Sequence, residues 1–341
     1  MDRGLLLSAF ALLFSSLGFL AGAQGIGVNY GMLGDNLPSP ANVITLYKSR
    51  NITKLRLFHP DAGALAALRN SGISLILGTY NQDLPRLASD PSFAASWVQT
   101  NVLPYANSVS FRCIAVGNEV IPGDLASYVL PAAHNLDSAL RAAGFSIPVT
   151  TAVSTQVLNP SYPPSRGAFS GNSSPVMAPL VAFLAARNSP LLVNVYPYFA
   201  FAGNEADVRL DYALFTAGGK VVSDGELGYW NLFDAMVDAV YAAVERVGGG
   251  GEGVEVVVSE TGWPSGGGGP AATVENARTY NNRLVDHVGR REGTPRRPGR
   301  EMEVYLFAMF NENLKPEGTE RNFGLFQPDM SEVYHVDFSA N

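Results

Sequence analysis

The sequence predicts a single (β/α)8 barrel, a closed ring of parallel strands sheathed in helices, with a small extra hairpin subdomain after the sixth strand. Three observations lead there. Apolar runs of strand length recur eight times along the chain. Most of them are separated by helix-patterned sequence, which makes repeated βα units. No Gly-x-Gly-x-x-Gly follows the first run, so nothing favours an open dinucleotide-binding sheet instead.

The runs are GIGVNYG from Gly25, ITKLRLF from Ile52, ISLILGTY from Ile73 and FRCIAVGNE from Phe111, then IPVTTAVST from Ile147, PLLVNVYPYF from Pro190, VEVVVSETGWP from Val254 and EMEVYLFAMFNEN from Glu301. Runs such as VVVS are apolar at consecutive positions, as a strand covered on both faces requires. The intervening helices announce their ends. Ser39 and Pro40 suit the N-cap and first position of SPANVITLYKSR, and Gly72 closes DAGALAALRNSG. In NLFDAMVDAVYAAVERV, Phe233, Met236, Val237, Val240, Val244 and Val247 recur at three- and four-residue spacing and mark one buried face. Two connections are long, residues 156–174 and 200–230. The second holds YALFT and KVVSDG around Gly218-Gly219, which predicts the hairpin. No repeat or linker marks a second domain, so residues 24–341 are expected to form one barrel domain.

The first residues, MDRGLLLSAFALLFSSLGFLAGAQG, place Arg3 ahead of an apolar run that closes on Ala21-Gly22-Ala23. This is the pattern of a secretory signal peptide over residues 1–23, with the mature chain starting at Gln24. The protein is therefore expected in the extracellular space or cell wall, without a membrane anchor and as a monomer. In that setting Asn51-Ile-Thr53 and Asn172-Ser-Ser174 become glycan acceptors. Cys113 is the only cysteine, which rules out an intrachain disulfide and suits a buried, inert thiol. Stability must come from the core that 47% hydrophobic residues can build. A net charge of −7 argues against nucleic acid as a partner. The basic stretch at residues 290–300, RREGTPRRPGR, is expected to be a solvated loop.

Function is read from the strand ends: Tyr30, Phe58, Tyr80, Glu119, Thr155, Tyr198, Glu260 and Glu312. A glutamate beside a packed core is costly unless it is hydrogen-bonded, paired or used. Three of them converging on one mouth suit glycosidic bond cleavage, where one carboxyl protonates the leaving oxygen and another attacks or stabilises an oxocarbenium-like centre. Tyr30, Tyr196, Phe199 and Trp263, with Phe326 beyond the eighth strand, offer rings on which sugar C–H faces stack. His59, His134, His287 and His335 are scattered without metal-ligand spacing, so neither metal nor cofactor is expected, and His59 is expected to be a hydrogen-bonded wall of the cleft.

The segments GIGVNYG, FRCIAVGNEV, NVYPYF, VVVSETGWPS, MFNENLKP and RNFGLFQPD, in order from Gly25 to about Phe338, resemble plant glycoside hydrolase family 17, the glucan endo-1,3-β-glucosidases. The resemblance implies a (β/α)8 barrel and retaining, double-displacement hydrolysis of internal bonds in a β-1,3-glucan. It implies Glu119 of VGNE as general acid/base and Glu260 of VSETGWPS as nucleophile, with Asn118 contacting the reacting sugar. Glu312, Lys315 and Glu320 would be the supporting charges. A lysine near Glu260 would favour its ionised form and leave Glu119 as the carboxyl whose pKa rises. Two readings stay open beside this one: a β-1,3-1,4-glucanase on the same scaffold, and a catalytically silent glucan-binding protein. His59 and Trp230 depart from the family's pattern.

Overall fold

The computed structural model describes residues 25–248 and 250–338, and its centre is a closed barrel of eight parallel strands. They are β1 (Gly27–Tyr30), β2 (Lys54–Leu57), β3 (Ser74–Gly78), β4 (Ser110–Asn118), β5 (Val149–Ser154), β6 (Leu191–Asn194), β7 (Val256–Thr261) and β8 (Val304–Leu306). Each pairs with its neighbours in sequence, and β8 closes on β1 through Gly27 and Tyr305. Ile76, Cys113, Ala115, Ala152, Leu192, Val257 and Tyr305 fill the lumen, while the outward faces pack on the helices. The ring is thus a packed core with two ends, not a pore.

The helices form where their signals stand. Pro40–Ser49 begins at the proline and buries Val43, Ile44 and Tyr47. Asp61 caps Ala62–Ala67, its carboxylate accepting from Ala64 N at 2.7 Å. Asn231 caps Leu232–Val247, which buries Phe233, Val237, Val240 and Val244; Met236 and Val247 of the expected face are only partly covered.

Four expectations need correction. The hairpin after the sixth strand pairs Val222–Asp224 with Leu227–Tyr229 and turns at Gly225 and Glu226, not at Gly218-Gly219, while residues 210–213 of the YALFT region form a helical turn. β6 stops at Asn194 because Pro197, with fixed φ and no N–H, opens a short helix at Pro197–Ala202; Tyr198 is therefore not a strand end. β8 is short, and Glu312 lies in the loop beyond it. The basic stretch is not a freely solvated loop: Arg296 and Arg297 both pair with Glu245, and Arg291 with Glu301. The expected leader, residues 1–23, lies outside the described residues. Among the described residues no helix is long and apolar enough to cross a membrane.

Candidate active site

The C-terminal ends of the strands open into a cavity of about 700 Å³ whose lining includes both Glu119 and Glu260. Backbone irregularity aims these side chains. In β4 the pairing register with β5 slips between Ala115 and Asn118, and Gly117 takes a left-handed φ of 74° in which a side chain would be strained and would crowd Leu84. Glu119 follows at φ 54°, a conformation that costs a non-glycine residue on the order of 1–3 kcal/mol and turns the carboxyl out of the ladder. A second slip, between Val193 and Asn194, sets Asn194 opposite Glu260.

Asn194 then joins the two acids. Its Nδ2 donates to Glu119 Oε1 at 2.9 Å and to Glu260 Oε1 at 2.8 Å. The amide is held in this sense because its Oδ1 accepts from Ser259 Oγ at 2.8 Å and from Arg56 Nη1 at 3.2 Å. Arg56 also donates to Glu260 Oε1 at 2.9 Å and, through Nη2, to Asn118 Oδ1 at 2.7 Å. Tyr196 completes the cradle from above, its hydroxyl donating to Glu260 Oε2 at 2.7 Å. Both oxygens of Glu260 are thereby engaged.

Electrostatics around Glu260 pull in opposite directions. Burial pushes its carboxyl above the usual range, against the Arg56 guanidinium; Glu119 adds to the rise, while the Tyr196 hydroxyl and Lys315 oppose it. Lys315 does favour the ionised form of Glu260, as expected, but the burial that the strand position imposes outweighs it and the carboxyl's pKa rises. Burial, with Glu260 beside it, drives the Tyr196 phenol well above its ordinary pKa, so it remains a proton donor in the hydrogen bond.

Two carboxylates accepting from one amide nitrogen lie within two hydrogen-bond lengths of each other. That is the close spacing of retaining glycosidases, not the wider gap that inversion needs to seat a water. The model of glycosyl hydrolases family 17 matches residues 26–338. The chain belongs to that family. A glucan endo-1,3-beta-glucosidase of Vitis vinifera is 54% identical, covering 93% of each chain. Lichenase-2 of Hordeum vulgare is 49% identical over 92% of this chain and 99% of its own. A solved beta-1,3-glucanase and allergen of Cryptomeria japonica pollen superposes with a TM-score of 0.89 at 46% identity, over 93% of this chain and all of that one. This chain is a glycosidase, and its barrel is that of plant β-glucan endohydrolases.

Of the residues singled out from this family-17 sequence, Glu119, Glu260, Asn118, Tyr30, Tyr196 and Phe199 all line the cavity. Glu312, Lys315 and Glu320 line it too and form one network: Lys315 Nζ lies 3.3 Å from Glu312 and 4.0 Å from Glu320, over the face of Phe307. His59 is a wall residue, stacked on Tyr80 at 4.4 Å. Trp263 and Phe326 are not sugar-facing. Trp263 is fully buried, packs against Tyr198 and Tyr280, and spends its N–H on Ala271 O at 2.8 Å. Phe326 is buried beneath the Arg50 guanidinium. Trp263 stands where the chain leaves its strand for the loop at 264–273, and Phe326 bridges Phe310 and Glu332, so both rings are packed inward, which strand-end counting does not capture. Phe307 and Phe323 provide apolar wall instead. Sequence reading also missed Arg56 and Asn194. The signal was there: a polar residue inside KLRL and another at the end of LLVN, both in strands otherwise apolar at every buried position.

Proposed function

We propose that the protein is a secreted, retaining endo-β-1,3-glucanase, with Glu119 as general acid/base and Glu260 as nucleophile. The observation that carries the reading is the pair of carboxylates bridged by Asn194 Nδ2. Glu119 donates its proton to the glycosidic oxygen as Glu260 attacks the anomeric carbon, which releases the first product and leaves a glycosyl ester on Glu260. Water then gives a proton to Glu119 and its oxygen to the sugar, and the ester bond breaks to return free Glu260 with the β configuration retained. Arg56, Asn194 and Tyr196 hold the charge on Glu260 whenever the ester is absent. Phe199, Phe307 and Phe323 offer stacking area along the open cavity, so remote sugars can contribute binding to the distortion of the reacting one.

Azide separates the two roles. With Glu119→Ala, azide is expected to attack the glycosyl-enzyme and give a β-glycosyl azide, and with Glu260→Ala to attack directly and give the α product. Identical stereochemistry from both variants, read by NMR, overturns the assignment. The similarity to a lichenase favours one second reading, a mixed-linkage glucanase. Early products from laminarin and from mixed-linkage glucan, compared by chromatography, decide between them. Secretion follows from the leader pattern at residues 1–23, and Asn51 and Asn172 are both exposed for glycosylation; N-terminal sequencing and intact mass of secreted protein test both.

A further inference from the structure

Trp230 stands apart from the cavity that holds the acids. It is 52% exposed, whereas Trp97 and Trp263 are buried. Its ring lies against the hairpin beside Gly228: a Cβ added there would stand 3.3 Å from the six-membered part of the indole and closer still to Lys220. The glycine therefore leaves room for the edge of the indole against the hairpin, with about half of the residue still exposed. Beside it opens a second cavity, of about 430 Å³, lined by none of the residues that line the first.

The rest of this lining mixes apolar residues, Phe215, Ala217, Pro295 and Pro298, with polar side chains of both signs. Arg283, Arg290, Asp286 and Glu292 contribute to it from the end of helix Val274–Gly289 and the turn that follows. Deeper in, Asn231 Nδ2 donates to Asp234 Oδ2 at 2.8 Å, and His287 Nε2 lies 2.8 Å from Asp234 Oδ1. Guanidinium donors and carboxylate acceptors standing together do not select an anion or a cation. They suit a neutral polyol, whose hydroxyls both donate and accept, and an adjoining indole suits the apolar C–H face of a pyranose. We infer that Trp230 and this cavity form an accessory saccharide site that holds a second stretch of the glucan while the acids work elsewhere. The inference rests on the proposed β-glucan substrate. It gives the enzyme a grip on insoluble polymer that a short soluble chain, occupying the catalytic cavity alone, does not use.

The test compares the full-length mature protein with Trp230→Ala and, separately, Asp286→Ala, both at exposed positions away from the acids. Loss of one stacked ring is expected to weaken retention on insoluble β-1,3-glucan about 3- to 10-fold. Turnover of soluble laminarihexaose is expected to match the wild type, and unchanged thermal midpoints show that the variants are folded. Asp286→Ala should weaken retention in the same direction by less. Equal retention of wild type and both variants overturns the site, as does a loss of hexasaccharide turnover in step with the loss of retention. The readouts are independent: retention decides the accessory site, while absence of wild-type turnover on the hexasaccharide would count against the proposed activity.

Discussion

The barrel carries a cluster of charge at each end. At the floor, where the strands begin, Arg112 pairs with Glu303 and Glu255, both at 3.0 Å, Lys54 lies 3.8 Å from Glu303, and the Tyr305 hydroxyl donates to Glu303 at 2.8 Å. At the mouth, Arg56 reaches Glu260, while Glu119 shares only the amide of Asn194. The floor has a cation for every carboxylate. The mouth does not, since Lys315 is engaged by Glu312 and Glu320. Between the two ends lies the apolar lumen around Cys113 and Val257. A balanced cluster satisfies its members and closes the barrel. At the unbalanced mouth burial, with Glu119 adding to it, raises the pKa of Glu260, and the excess of carboxylates leaves a place where a substrate's developing positive charge is welcome.

Neutralising one cation at each end should break this comparison most sharply. Arg56→Met strips Glu260 of its buried partner, so kcat/KM is expected to fall about 10²- to 10³-fold. Stability should fall by about 3–5 kcal/mol, because an uncompensated buried charge remains. Arg112→Met should cost about 1–3 kcal/mol of stability for the unmet carboxylate at the floor and leave kcat/KM of the folded protein unchanged. Denaturant unfolding beside steady-state kinetics reads both; a floor variant that loses activity without losing stability would erase the distinction.

A finer probe is the pH profile. Glu260 must be ionised to attack, and burial raises its pKa, so the acid limb of kcat/KM is expected above the ordinary glutamate value of about 4.3. Tyr196→Phe removes a hydrogen bond that favours the charged form, so the limb should move to still higher pH and activity at mildly acidic pH should fall the most. A limb unmoved by the substitution would mean that another group controls it. The smallest effect belongs to Glu255→Gln: its carboxylate is half exposed, so the unfolding free energy should change by no more than about 1 kcal/mol, and kinetics not at all.

How much of this was legible in the sequence depends on the range of the forces involved. Strand number and the two glutamates follow from local pattern, because burial on both faces is decided within a few residues. The caps were less legible, since Ser39 holds its N-cap position without a side-chain hydrogen bond and the helix expected to close at Gly72 ends at Ala67. The hairpin's position and the fate of Trp263 depend on which way the chain turns after leaving the sheet, and contacts distant in sequence settle that, whereas the early end of β6 is written locally in Pro197. Arg56 lies in between. A guanidinium inside KLRL is visible as a violation of the apolar run, but its partner is 204 residues away, on β7. Asn194 is quieter still, since one asparagine at a strand end has many uses and only the register slip beside Glu260 gives it this one.

Cys113 gives the apolar lumen a practical meaning. Its thiol is fully buried between the two charged ends, and burial pushes its pKa up to about 12. No disulfide partner exists in the chain, so refolding has no pairing to choose and oxidants have no exposed thiolate to attack. A thiol-reactive dye can reach this sulfur only when strands part, because local fraying of loops or helix ends does not uncover the lumen. The residue is thus a built-in timer for opening of the whole barrel, readable as the mass gained on labelling without engineering a new cysteine.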